Sequence, residues 1–270
     1  MPPRQRSPAR PPTPAPPVPL VWERREPARR PAPGPLSRER IVAAAIAIAD
    51  KEGLAEVSLR KVAAKLNAGP MRLYTYTDTK EGLLELMVDS IYGELVGKGP
   101  APGDWRKTLR SIAERMRQAA EKHPWFVELL GFRPHLGPNA LEHYEESLAA
   151  LSDERGFPNI DDALQAYETL NAYVVGAIKS EAAGVRAERE SGLNESDWQA
   201  AAWPYLERVI ATGRFPMIAK VVSEATHPPF DVTFERGLDC VIEGIAQRLG
   251  NAKAHDAEDV SDTQRPRRRT

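Results

Sequence analysis

From Ser37 onward, apolar residues return every three or four positions and almost nowhere every two. That period is helical. Ile41, Ala45, Ile48 and Ala49 share one face of a segment opened by Ser37, a good N-cap, and closed by Gly53. In the next segment Leu59, Val62, Ala63 and Leu66 form an apolar stripe, while Arg60, Lys61 and Lys65 lie off it. Asn tolerates left-handed backbone, so the chain is predicted to reverse at Asn67. Gly69-Pro70 then opens a short helix reaching about Thr75, with proline where a missing N–H is harmless. Asp78, with Glu81 three residues on, predicts a capping box for a helix striped by Leu84, Met87, Val88, Ile91 and Leu95.

Glycines and prolines in residues 97–103 break the chain, and the pattern after them stays helical. Trp105, Leu109, Ile112 and Met116 are helix-spaced up to Pro124. Pro138 begins a helix through Leu141, Tyr144, Leu148 and Leu151, stopped by Gly156 and Pro158. Asn159 or Asp161 caps a long segment, Ala163 to Arg189. Asn194 to Thr212 follows, bent or begun at Pro204, and a last helix runs from about Asp231 to Leu249. No strand alternation of useful length and no fixed repeat appears. The fold class is all-α, with a three-helix unit at 37–83, a larger helical domain at 84–250, and tails at 1–36 and 251–270.

Composition changes this picture mainly at the front. Residues 1–36 hold 13 of the 25 prolines and seven arginines against two acids, a segment that cannot build a core and reads as disordered and partly polyproline. A basic arm adding DNA affinity and a mere solubiliser both fit it. Trp22, beside Leu20 and Val21, is its one apolar cluster and has no evident docking place in the sequence. The net charge of −1 divides unevenly: residues 1–36 carry +5, 37–82 carry +2, 251–270 carry +1, and the acidic remainder is −9. A positive front suits phosphate contact, although solvated faces and tails give the same split.

Chemistry is scarce. Cys240 is the single cysteine, so neither an intramolecular disulfide nor a thiolate metal site can form. No phosphate-binding glycine loop, HExxH or GxSxG occurs, and the five histidines, His123, His135, His143, His227 and His255, are scattered. Acidic pairs such as Glu145-Glu146 and Asp161-Asp162 fit solvated helix faces. No cofactor and no metal is expected. The front lacks an apolar signal core, and no run of about 18 apolar residues exists, so a cytoplasmic protein without membrane association is expected.

Two short helices around a tight turn at residues 58–75 fit a helix-turn-helix, whose second helix meets base edges in the major groove. Periodicity alone equally allows an ordinary helix pair in an all-α core. The stretch LYTYTDTKEGLL, Leu73 to Leu84, tips the balance, because it resembles the signature of the TetR family of bacterial repressors. The resemblance implies DNA contact by Arg60, Pro70, Met71, Arg72, Tyr74, Tyr76 and Lys80, with the forked donors of Arg72 reading guanine and with Tyr74 and Lys80 on phosphate. Asn67 and Thr77 depart from the family pattern, which has glycine at the turn and a bulky apolar residue after the recognition helix.

Weaker similarity continues. Trp105 to Met116, HPW at 123–125, HLGPNAL at 135–141 and AYVVG at 172–176 look like the regulatory domain of the tetracycline-repressor branch, which dimerises through its last helices and encloses a drug. On that register His135 falls at the branch's magnesium-coordinating histidine. The drug-contacting His, Asn, Thr and Gln fall at Val96, Ile112, Pro138 and Leu151. Four polar contacts have become apolar, so a magnesium-chelated tetracycline would lack partners here. The expected effector is small and largely apolar, held by these four residues with Trp105, Met116, Phe126 and His135. The chain is thus expected to be a homodimeric regulator of an operator duplex, a repressor released by its effector. The competing readings are a helical enzyme that keeps the helix-turn-helix as scaffold, and a DNA-binding structural protein without a ligand.

Overall fold

The computed structural model describes residues 20–23, 36–97, 104–131, 135–152, 157 and 159–263. Among these residues there is no strand. Eleven α-helices follow in order: α1 Arg38–Glu52, α2 Leu59–Lys65, α3 Pro70–Leu73, α4 Lys80–Leu95, α5 Trp105–Lys122, α6 Phe126–Leu129, α7 Pro138–Leu151, α8 Ile160–Ser191, α9 Glu195–Ala211, α10 Pro216–Glu224 and α11 Phe230–Thr263.

The caps lie largely where polar residues precede apolar runs. Ser37 accepts from the Arg40 amide, Asn159 from that of Asp161 and Asn194 from that of Asp197. One expected cap shifts. Thr79 rather than Asp78 caps α4, its hydroxyl accepting from the Gly82 amide at 3.0 Å, because the helix begins at Lys80. The last helix also outruns expectation. It continues past Leu249 to Thr263, since residues 251–263 contain neither glycine nor proline to stop it; the tail expected at 251–270 therefore begins as helix. Two short helices, α6 and α10, had no clear periodic signal.

A continuous core runs from α1 through α8 to α11. α4 belongs to both halves of the molecule: it packs on α1 and on α5, α6 and α7, with Leu83, Met87, Ile91 and Leu95 buried along its length. α5 holds α11 with ion pairs and α8 holds it with a hydrogen bond. Arg110 pairs with Glu235 at 2.7 Å and with Asp239, and Arg117 pairs with Asp231 while lying over the Phe230 and Phe234 rings. Tyr173 donates to the Phe234 carbonyl at 2.7 Å and leaves no room for a side chain at residue 237, which is glycine.

Most of the proline-rich front, 1–19 and 24–35, lies outside the described residues, as do 264–270. Leu20 to Glu23 is folded, contrary to the expectation for 1–36. Val21–Glu23 forms a 3-10 turn against α4, with Val21 buried over Gly82, where glycine leaves the space it fills. At the other end α9 and α10 contain no buried residue, and Trp198, Trp203, Tyr205, Met217 and Ile218 are exposed.

Candidate nucleic-acid interface and regulatory core

Ser58 caps α2 by accepting from the Lys61 amide at 3.2 Å, and Leu59, Val62 and Ala63 bury the stripe read from the sequence. Asn67 then takes φ +52°, the left-handed turn expected of it. α3 is one turn long. Leu73 is its fully buried anchor, and the Thr75 hydroxyl closes its end on the Arg72 carbonyl at 2.7 Å.

That anchoring turns Pro70, Met71, Arg72 and Tyr74 outward, with Met71 77% exposed. Arg60 and Lys80 are exposed as well. Tyr76 is the correction. It is buried, and its hydroxyl donates to the Leu36 carbonyl at 2.8 Å, tying the end of the helix-turn-helix to the start of α1, so it does not share the outward face of Arg72 and Tyr74. Thr77 is fully buried, its hydroxyl donating to the Thr79 carbonyl, so a small polar residue replaces the bulky apolar one by closing a local turn. Lys61 sits between Glu52 and Glu56 at 2.7 Å from each; hydrogen bonding to Glu52 raises its pKa and leaves it a structural cation.

The DNA head meets the larger domain at Asp50 of α1. Its Oδ1 accepts from the Trp125 indole at 2.6 Å and is 2.7 Å from the His123 Nδ1, both rings being almost completely buried. Lys122 and Glu94 pair beside it at 2.5 Å, and Arg115 donates to the Leu95 carbonyl at the end of α4.

Of the eight residues expected around the effector, Trp105, Ile112, Met116, Phe126 and Leu151 lie in one continuous core. The other three do not join it fully. Pro138 is exposed at the first turn of α7, Val96 ends α4 half-buried, and His135 is half-buried before α7. A cleft of about 250 Å³ lies elsewhere, between α8 and α11, lined by Phe157, Ala166, Val241 and Ile245 among others, and none of the eight residues touches it. Three residues that periodicity did not single out face the expected core. Tyr92 of α4 packs its ring on those of Phe126, His135 and His143, at centroid distances of 5.8, 5.9 and 5.7 Å. Asp89, one turn earlier, reaches α7. Spacing had marked His143 only as one of five scattered histidines, and nothing in it signalled burial. No cluster of His, Cys, Asp and Glu able to hold a metal occurs among the described residues.

Residues 99–249 match a family model described as the tetracyclin repressor-like C-terminal domain. The chain belongs to this TetR-like family. It is 36% identical over 241 residues to the HTH-type transcriptional repressor DrrR1 of Streptomyces coeruleorubidus, covering 86% of this chain and 87% of that one. The class E tetracycline repressor protein of Escherichia coli is 26% identical over 230 residues, covering 83% and 97%. Among solved structures, apo ActR of Streptomyces coelicolor superposes with a TM-score of 0.65 at 27% identity, covering 82% of this chain and all of that one. ActR in complex with actinorhodin gives 0.64 at 25% identity, covering 78% and 95%. A TetR-like helix-turn-helix head on a helical regulatory domain therefore accounts for the fold, and the relatives are regulators by name, not enzymes.

Proposed function

We propose that this protein is a ligand-responsive repressor that holds an operator with α3 and releases it when a small, largely apolar effector enters the regulatory core. The observation that carries the reading is the outward row Pro70, Met71, Arg72 and Tyr74, fixed from behind by the buried Leu73 and flanked by Lys80. Arg72 is the base reader, and Arg60, Tyr74 and Lys80 hold the backbone. α4 begins at this surface and ends in the regulatory core, so a ligand preferring one tilt of α4 shifts the spacing of two heads. ActR, a related fold, is known bound to actinorhodin, which supports a ligand-responsive assignment.

Two heads require two copies. The α8–α11 cleft and, apart from it, the exposed aromatic residues of α9 and α10 are the apolar surfaces that a second copy covers. No helix among the described residues is long and apolar enough to cross a membrane, and the single cysteine is unpaired, which accords with a cytoplasmic site of action. The deciding experiment is capture of genomic fragments by the purified protein. Recovery of one palindromic site whose retention is lost on effector addition is expected, and retention of random duplex alone would refute the assignment.

A further inference from the structure

His143 lies on α7 with 1% of its surface exposed, and neither ring nitrogen has a hydrogen-bond partner. The Nε2 of His135 is likewise buried and unpartnered. Buried polar atoms are almost always paired, so three such nitrogens against one tyrosine ring call for a reason. The other nitrogen of His135 bonds the Leu129 backbone, and an imidazole that gives its proton to a carbonyl presents a bare lone pair at Nε2. His143, if neutral, presents one donor and one acceptor.

The surroundings set the polarity of the site. Burial pulls His143 down to about 4 and His135 below its usual range, and it pushes Tyr92 up to about 12 and Tyr167 further still. All four are uncharged at neutral pH. Arg115, the cation acting on His143, spends its guanidinium on the Leu95 and Ser111 carbonyls. The ring nitrogens therefore carry no charge of their own and lie between aromatic walls, with Arg115 near His143 and the carboxylates of Glu85 and Asp89 near His135. Those walls are Tyr92, Phe126 and the Tyr144–Tyr167 pair, whose rings are 4.9 Å apart.

We infer that His135 and His143 form the polar end of the effector site, and that the effector is an aromatic compound bearing hydroxyl groups. One hydroxyl donates to the Nε2 of His135, a second donates to the unprotonated ring nitrogen of His143, and a third accepts from the N–H on the other side of that ring. This deepens, and rests on, the reading of the protein as a ligand-responsive regulator. It also explains how four polar contacts of the tetracycline branch can be lost without loss of orientation, because His143, on α7 a little over one turn beyond Pro138, supplies a polar contact beside that of His135.

The test uses the full chain with resveratrol, a stilbene bearing three hydroxyls, and with unsubstituted stilbene, followed by tryptophan fluorescence. Wild type is expected to bind resveratrol at least tenfold more tightly. His143→Phe and His135→Phe should each cut that ratio to below threefold, while His143→Gln, which keeps a donor and an acceptor, should restore most of it. Melting curves identify any unfolded variant, and the half-buried position of His135 makes its substitution the safer of the two. Equal binding of the two compounds, no binding of resveratrol, or a ratio unchanged in both phenylalanine variants would overturn the inference and leave the histidines served by buried water alone. Retention of selected genomic fragments by the same preparation tests the regulator reading separately, since that reading fails only if sequence-specific DNA binding is absent.

Discussion

The carboxylate of Asp89, near the middle of α4, accepts the amide of Ala140 at 3.0 Å and so caps a helix that is not its own. α7 needs this. Its own N-cap position is Gly137, which has no side chain to offer, and Asn139 adds a bond from its Nδ2 to Asp89 at 3.1 Å. The cap joins the helix that carries Lys80 to the helix that carries His143. Any ligand that shifts the start of α7 therefore pulls on α4.

Replacing Asp89 with Ala should destabilise the protein by about 1–3 kcal/mol, the cost of losing a cap and leaving a buried amide unpaired. Gly137→Ala should do comparable damage without removing the carboxylate, because its Cβ would overlap the Asp89 carboxylate and push it off the cap. Urea unfolding measures both. A double variant no worse than either single would identify one shared interaction; simple additivity would separate them.

Arg72→Ala should weaken operator binding by about 1–3 kcal/mol and relax base preference, as expected of one bidentate base contact. Lys80→Ala should weaken operator and random duplex alike and lower the salt slope by about 1. Titrations on both duplexes decide. Tyr76→Phe, by contrast, should cost stability and leave the operator-to-random ratio unchanged, since its hydroxyl is committed to Leu36.

Tyr76 also marks the limit of what the sequence makes legible. The helices other than α6 and α10, the turn at Asn67 and most caps follow from local pattern, because each depends on residues within one turn of each other. The outward set Pro70, Met71, Arg72 and Tyr74 is legible for the same reason. Tyr76 looks equivalent in the motif, but its place is set by a carbonyl 40 residues away. Asp89 and His143 are of the same kind. Periodicity assigns a polar residue to the solvent face, and only the packing of α4 on α7 buries both. The fold of Val21 onto α4 is a third case, decided by a gap at Gly82 that no local rule records.

The protein should sediment at micromolar concentration near twice 29.9 kDa. In a single copy Trp198, at 60% exposure, and Trp203, Tyr205 and Met217 meet water together, an unfavourable surface for a monomer. A lone 29.9 kDa species would remove the basis for two reading heads. Replacing Ile245, on the rim of the α8–α11 cleft, with Glu should shift the equilibrium toward monomer and reduce operator affinity with it.

Stability should fall as pH drops below neutrality, and His143 should account for a measurable share. Its pKa is lowered by burial from 6.5 to about 4, so between those values the unfolded chain takes up a proton that the folded protein refuses. The stabilisation is full above 6.5 and is lost as pH falls to about 4, to a maximum of about 3 kcal/mol. His135, shifted the same way, adds to the slope. Asp89 and Glu181, raised by burial, act in the opposite sense, since the folded state then gains protons first as pH falls. The quantity to read is thus wild type minus His143→Phe in urea unfolding, from pH 7 downward. That difference should shrink steadily in favour of the variant as acid is added, and a difference independent of pH would mean that His143 is hydrated and free to charge.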